Sequence, residues 1–171
     1  ILKTLLNVKG ATVDGAELSE SGCGEAALTV HVHVQRKDRW RCPVCGRKCH
    51  VHDYLSEESF WRGMDFGPVM VRLGARVPRV RCGEHGVLTA AVPWAKHGSR
   101  FTLDFAYSVT WMVKSGLSRK RVSERMRIDW ETVGRLADLV WKDREPDVSK
   151  RLDGLVRIGV DETSYRKGHS Y

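Results

Sequence analysis

Residues 28–34 alternate strictly along the chain. Leu28, Val30, Val32 and Val34 take one side, and Thr29, His31 and His33 the other. That period of two predicts a half-buried strand over Ala27–Val34. Ala11–Leu18 reads as its partner, with Ser21-Gly22-Cys23-Gly24 as the hairpin turn between them. Val69–Leu73 and Ala75–Arg81 read as two further strands, punctuated by Gly67-Pro68 and Gly74. Pro78 suggests an edge position or a bulge, because proline has no N–H to give a ladder.

From Phe101 the period becomes helical. Leu103, Ala106, Tyr107, Thr110 and Val113 fall at i, i+3, i+4, i+7 and i+10, with Thr102 as N-cap and Gly116 as the stop. Ser118 caps a short second helix that carries Val122 and Met126 on one face. Asp129 caps a third, whose stripe is Val133, Leu136, Ala137 and Val140. Pro146–Gly154 reads as a linker. Leu155–Val160 then reads as a strand, with Val156, Ile158 and Val160 on one face, ending in Asp161-Glu162.

Composition adds class. At 42% hydrophobic and 29% charged residues, the 171-residue chain is globular rather than disordered. It has no apolar run near the ~18 residues of a membrane span, and no signal peptide. Net charge is +8. Residues 36–100 carry 13 basic and 6 acidic side chains, whereas residues 1–35 carry 2 and 4. Such an excess suits a polyanionic partner, though a solvated face has the same composition.

Five cysteines fit a full disulfide framework poorly. Cys42-Pro43-Val44-Cys45-Gly46 and Cys82-Gly83-Glu84-His85-Gly86 repeat one shape: ligand, two residues, ligand, glycine. The spacing lets both side chains of a tight turn reach one ion, and the glycine lets the backbone fold back so that amides point at the thiolate. Cys42, Cys45, Cys82 and His85 are therefore the candidate ligands of a tetrahedral, structural Zn²⁺, with no position left open for catalysis. A hairpin of the intervening strands would bring the pairs together. Reduced core cysteines or a redox pair are the alternatives. Cys49, His50 and His52 stand nearby as bystanders that could replace one ligand. Cys23 is most simply a free thiol. His31 and His33 share a strand face, where solvated polar residues are a simpler reading than a chelate.

The second and third helices, joined by Arg127-Ile128-Asp129, have the pattern of a helix-turn-helix. In that motif the N-terminal end of the second helix enters the DNA major groove. Here that end presents Trp130, Glu131, Thr132 and Arg135. Arg119, Lys120, Arg121, Arg125 and Arg127 are candidate phosphate anchors, which position without reading sequence. Small helical domains that bind no DNA share this periodicity, and Trp130 could be core. A carboxylate such as Asp161 at the end of a strand can hold Mg²⁺, but metal-dependent phosphoryl transfer needs two or three converging carboxylates, and one alone is usually structural.

The order of features is more specific than any one of them. A strand pair, Cys-Pro-x-Cys-Gly, Trp61-Arg62-Gly63-Met64-Asp65, Ala75-Arg76-Val77-Pro78-Arg79-Val80-Arg81-Cys82-Gly83-Glu84-His85-Gly86 and Val92-Pro93-Trp94 follow in succession. The helical segment comes next, then Ile158-Gly159-Val160-Asp161-Glu162-Thr163-Ser164-Tyr165-Arg166-Lys167-Gly168-His169. This resembles bacterial insertion-sequence transposases of the ISL-three family across essentially the whole chain.

The resemblance implies an α+β, multi-domain fold. It has a β-rich zinc-binding domain over 1–98 and an all-α helix-turn-helix domain over 99–145. A linker over 146–154 leads to the first strand of an RNase H-like catalytic domain over 155–171. It implies double-stranded DNA as partner, at the element's terminal inverted repeats. It also implies a cytoplasmic, nucleoid-associated setting, no membrane, and a possible homo-oligomer of the full-length enzyme. Asp161 matches the first acid of an Asp-Asp-Glu triad that holds Mg²⁺. The other two acids would lie beyond Tyr171, so the chain should bind DNA without cutting it. The rival readings are a zinc-dependent helix-turn-helix transcription regulator and a protein-interaction module.

Overall fold

The computed structural model describes residues 2–20, 26–144, 153–157 and 159. A short helix, α1 (Leu2–Leu5), leads into seven strands: β1 (Ala11–Glu20), β2 (Ala26–Val34), β3 (His50–Tyr54), β4 (Ser59–Arg62), β5 (Met70–Ala75), β6 (Pro78–Cys82) and β7 (Gly86–Thr89). Three helices follow: α2 (Leu103–Lys114), α3 (Arg119–Met126) and α4 (Trp130–Arg144). The N-terminal region is thus β-rich and the C-terminal part of the described chain helical.

The strands form two sheets. One has the order β1-β2-β5-β4 and the other β3-β6-β7. β1 and β2 pair antiparallel, Ala11 opposite Val34 and Glu20 opposite Ala26. The turn between them lies outside the described residues, as does Cys23. β2 pairs with β5 in parallel. A parallel pair needs a long crossover, and residues 35–69 provide it, carrying the first cysteine turn on the way. The alternating side of β2 does face a core. Val30, Val32 and Val34 are buried with Leu73, Ala75, Val80, Trp61 and Trp94. Trp61 and Trp94 meet edge to face at 5.5 Å between ring centroids, a favoured aromatic geometry.

Three strand expectations are corrected. Gly74 does not punctuate; it lies inside β5, opposite both His31 and Phe60. A Cβ there would come within 2.9 Å of the Glu58 carboxyl group, so glycine makes room for that side chain. Ala75–Arg81 is not one strand, since Ala75 ends β5 and Pro78 starts β6. Pro78 is neither at an edge nor in a bulge. It opens the central strand of the small sheet, where its carbonyl accepts from the Ala90 amide at 2.9 Å.

The helices follow their caps. Thr102 Oγ1 accepts from the Phe105 amide, Ser118 Oγ from the Arg121 amide and Asp129 Oδ1 from the Thr132 amide. Each satisfies a donor that a helix start leaves open. The buried stripe of α2 is rotated from the expected one. Phe105, Ala106, Val109 and Thr110 are buried, while Tyr107 is exposed. Phe105 and Val109 pack with Val122, Met126, Val133, Leu136 and Val140 in a second core. The expected strand Leu155–Val160 is described only in part. Leu155, Val156 and Arg157 lie in no strand, and Val156 is 91% exposed. Ile158 and Val160 are outside the described residues.

The helical unit is stitched to the β-region. The Arg62 amide donates to the Arg100 carbonyl at 2.8 Å, and the Thr102 amide to the Arg62 carbonyl at 2.9 Å. The Leu103 amide donates to the Trp94 carbonyl at 2.8 Å. The Arg62 guanidinium lies over the Phe105 ring, 5.4 Å from its centroid.

Candidate metal centre and nucleic-acid interface

β3 pairs antiparallel with β6, His50 opposite Arg81. That ladder sets the turn before β3 beside the turn after β6. The expected hairpin is therefore replaced by a direct pairing, with β4 and β5 looping out into the other sheet. Cys42, Cys45, Cys82 and His85 converge so that one ligand atom from each lies within 4.8 Å of the others. Cys45 Sγ and Cys82 Sγ are 3.7 Å apart. His85 Nδ1 is 3.7 Å from Cys42 Sγ and 3.5 Å from Cys82 Sγ. A zinc tetrahedron with ordinary bond lengths has edges of about 3.8 Å between sulfurs and about 3.5 Å between sulfur and nitrogen. The donor set and its spacing fit Zn²⁺.

The turns are built as their glycines suggest. Gly46 and Gly86 both adopt positive φ, +70° and +72°, a region that disfavours residues with a Cβ. The Gly46 amide donates back to the Cys42 carbonyl at 3.0 Å. At the second turn the Glu84 amide, then the His85 side chain and amide, bring the Cys82 thiol down to about 6. Ligation needs the thiolate. An Arg47–Glu84 ion pair ties the two turns together. Cys49 is not in the cluster; its thiol donates to the Arg47 carbonyl, and burial pushes its pKa up. His50 and His52 are on β3, outside the ligand group. His31 and His33 do not converge on an ion. His31 Nδ1 meets Glu58 at 2.9 Å, and His33 Nδ1 meets Asp14 at 2.7 Å.

The helix-turn-helix candidates divide. Arg119, Lys120, Arg121 and Arg125 are exposed on α3. Trp130 is 59% exposed at the start of α4, so it is not core, and Arg135 is exposed on the same helix. Two candidates are tied into the fold. Thr132 is only 3% exposed, and its hydroxyl donates to Asp129 Oδ2 at 2.6 Å. It completes the cap and cannot reach a base edge. Arg127 is exposed but its guanidinium is held to the β-region. It donates to Asp65 Oδ2 from Nε at 3.1 Å and from Nη2 at 2.5 Å, and to the Pro68 carbonyl from Nη1 at 3.0 Å. Asp161 lies outside the described residues.

The sequence reading missed Asp65 as a bracket between the units. Arg62 reaches its other oxygen, so one carboxylate holds a β4 arginine and the arginine of the helix-turn-helix turn. Burial pushes the Asp65 carboxyl up, but Arg62 and Arg127 outweigh it and hold it below the usual carboxylate range. Arg127 takes a left-handed conformation, φ +53°, uncommon for a residue with a side chain. Also missed was the loop His97–Arg100, which faces α4 across an open groove of about 450 Å³. Its signal was a basic Gly-Ser turn just before the Thr102 cap.

Residues 38–85 match the zinc-finger of transposases IS204/IS1001/IS1096/IS1165, and residues 90–141 match the helix-turn-helix domain of transposase family ISL3. The chain is similar to the transposase for insertion sequence element IS1557 of Mycobacterium tuberculosis, from strains CDC 1551 / Oshkosh and H37Rv. Each is 38% identical over all of this chain. The chain spans 38% of the length of these relatives. No solved structure matches it significantly. The cysteine-rich and helical regions of this chain thus match, in order, the zinc-finger and helix-turn-helix domains of ISL3-family insertion-sequence transposases.

Proposed function

We propose that these residues are the DNA-binding portion of a transposase and grip the terminal inverted repeats of its insertion sequence. One observation carries the reading. Arg119, Lys120, Arg121 and Arg125 crowd one short helix, and none of them is in an ion pair among the described residues. Arg62, Arg79 and Arg127, by contrast, are all held by carboxylates. Uncompensated positive charge beside an exposed helix face suits a phosphate backbone. In this reading α4 enters the major groove with Trp130, Glu131 and Arg135 outermost.

Zinc held by Cys42, Cys45, Cys82 and His85 supplies rigidity rather than chemistry, since four protein ligands fill its coordination. The division into a zinc-binding domain over 1–98 and a helix-turn-helix domain over 99–145 is supported by the two separate hydrophobic clusters. The linker over 146–154 and a catalytic domain beginning at 155 complete the reading, with Asp161 as a Mg²⁺ ligand and the full-length protein a homo-oligomer at the nucleoid. Among the described residues no helix is long and apolar enough to cross a membrane. Kinship with transposases disfavours a stand-alone transcription regulator.

Replacing Arg121 and Arg125 by alanine tests the interface. Both side chains are exposed, so zinc content and fold should persist. Removing two phosphate contacts should flatten the dependence of log affinity on log salt by about 2. Binding to random and to inverted-repeat duplexes should weaken equally. Unchanged affinity and slope would refute the interface and favour a protein-docking role.

A further inference from the structure

The major groove is about 12 Å wide and a helix with its side chains about 10–12 Å across. A helix seated there therefore meets a phosphate strand on each flank. On one flank of α4 stands α3. Arg119 lies against Gly134, where a Cβ would come within 3.1 Å of its Nη1. The opposite flank carries Thr132, Arg135, Leu136 and Leu139, and these face the loop His97–Arg100 across the groove. Among the described residues no acidic side chain lines that groove. His97, Arg100 and Arg135 are all exposed.

The loop is also fixed in place. Its Ser99 amide donates to the Lys96 carbonyl at 3.0 Å, and Ser99 Oγ takes the Phe101 amide at 3.1 Å. The Arg100 carbonyl accepts from the Arg62 amide. Lys96 forms an ion pair with Asp143 near the far end of α4. Arg135 leans towards this flank, since its Nη2 donates to Thr132 Oγ1 at 2.6 Å.

We propose that His97, Arg100 and Arg135 form a second phosphate-binding wall, holding the DNA strand on the side of α4 away from Arg119. The inference rests on the DNA-binding reading above and extends it. It moves Arg135 from reading bases to gripping backbone, and it adds a loop that belongs to neither helix of the motif. A groove with no acidic lining among the described residues, bordered by His97 and Arg100 on a fixed loop and Arg135 on α4, complements a polyanion. Paired walls would set the angle at which α4 enters the groove.

The test is the salt dependence of binding by the zinc-loaded 171-residue chain to a random-sequence duplex. Arg100→Gln should lower the magnitude of the slope by about 1 and weaken binding on the order of five-fold at physiological salt. Arg100→Lys should restore the slope. Arg119→Gln should lower it independently, and the double variant should show both losses. An unchanged slope for Arg100→Gln beside a reduced one for Arg119→Gln would overturn the second wall and leave the helix-turn-helix interface standing. If the unmutated chain bound no duplex, the interface itself would fall, and the wall with it.

Discussion

Replacing Cys42 by serine is expected to strip zinc from the chain and melt the small sheet. Cys42 is 1% exposed, and a serine hydroxyl is a poor substitute for a thiolate at Zn²⁺. Zinc binding is worth about 10–16 kcal/mol in small zinc modules, most of it expressed as folding free energy. β3 and β7 have little else to hold them. Every side chain of β3 is exposed or only half-buried, and β7 buries none. Damage should spread, because Val80 on β6 packs into the main core with Trp61 and Trp94. Trp94 also holds the start of α2 through its carbonyl. Tryptophan fluorescence should therefore report the loss, and DNA affinity should fall at least ten-fold. Cys49→Ser is the control, because Cys49 is outside the cluster. Metal analysis should give about one zinc per chain for Cys49→Ser and almost none for Cys42→Ser. Equal zinc in the two variants would refute the ligand assignment.

Asp65→Ala should produce the largest loss of stability outside the metal centre. The side chains of Asp65 and Arg62 are each only 16% exposed. Removing the carboxylate leaves a nearly buried guanidinium whose Nη2 already has no partner among the described residues. Uncompensated buried charge costs about 3–5 kcal/mol, and the residual exposure here lowers that to about 2–4. Arg127 loses its carboxylate partner as well. A Tm drop of roughly 5–15 °C follows for a chain of this length. The sign of the pH dependence follows from a carboxyl held below its unfolded value. Its stabilisation is complete above about pH 4 and disappears as pH falls through the lower folded value. Thermal denaturation of Asp65→Ala at neutral pH checks the claim. A change under about 1 kcal/mol would mean that the bracket does not hold the helices on the sheet.

What the sequence disclosed was local. The caps Thr102, Ser118 and Asp129 act within a few residues, and all three form the expected bonds. The cysteine turns are legible because a two-residue spacing and a following glycine solve a problem inside one turn. The alternation of β2 is legible because one of its faces is buried. The unread parts depend on distant partners. β3 is wet on both faces and has no alternation to detect. Gly74 has its meaning through Glu58, and Asp65 through Arg127, 62 residues on. The parallel pairing of β2 with β5 is equally non-local. Thr132 was the avoidable miss, since an Asp-x-x-Thr start invites the cap bond that buries its hydroxyl.

The central claim is that a zinc-stabilised β-region and a helix-turn-helix together recognise the ends of an insertion sequence. The most direct measurement is the ratio of affinities of the zinc-loaded chain for a terminal inverted-repeat duplex and a random duplex of equal length, both at physiological salt. Binding to the repeat should be tighter by about 10³-fold or more, as specific DNA-binding proteins show. Equal affinity for the two duplexes would contradict it.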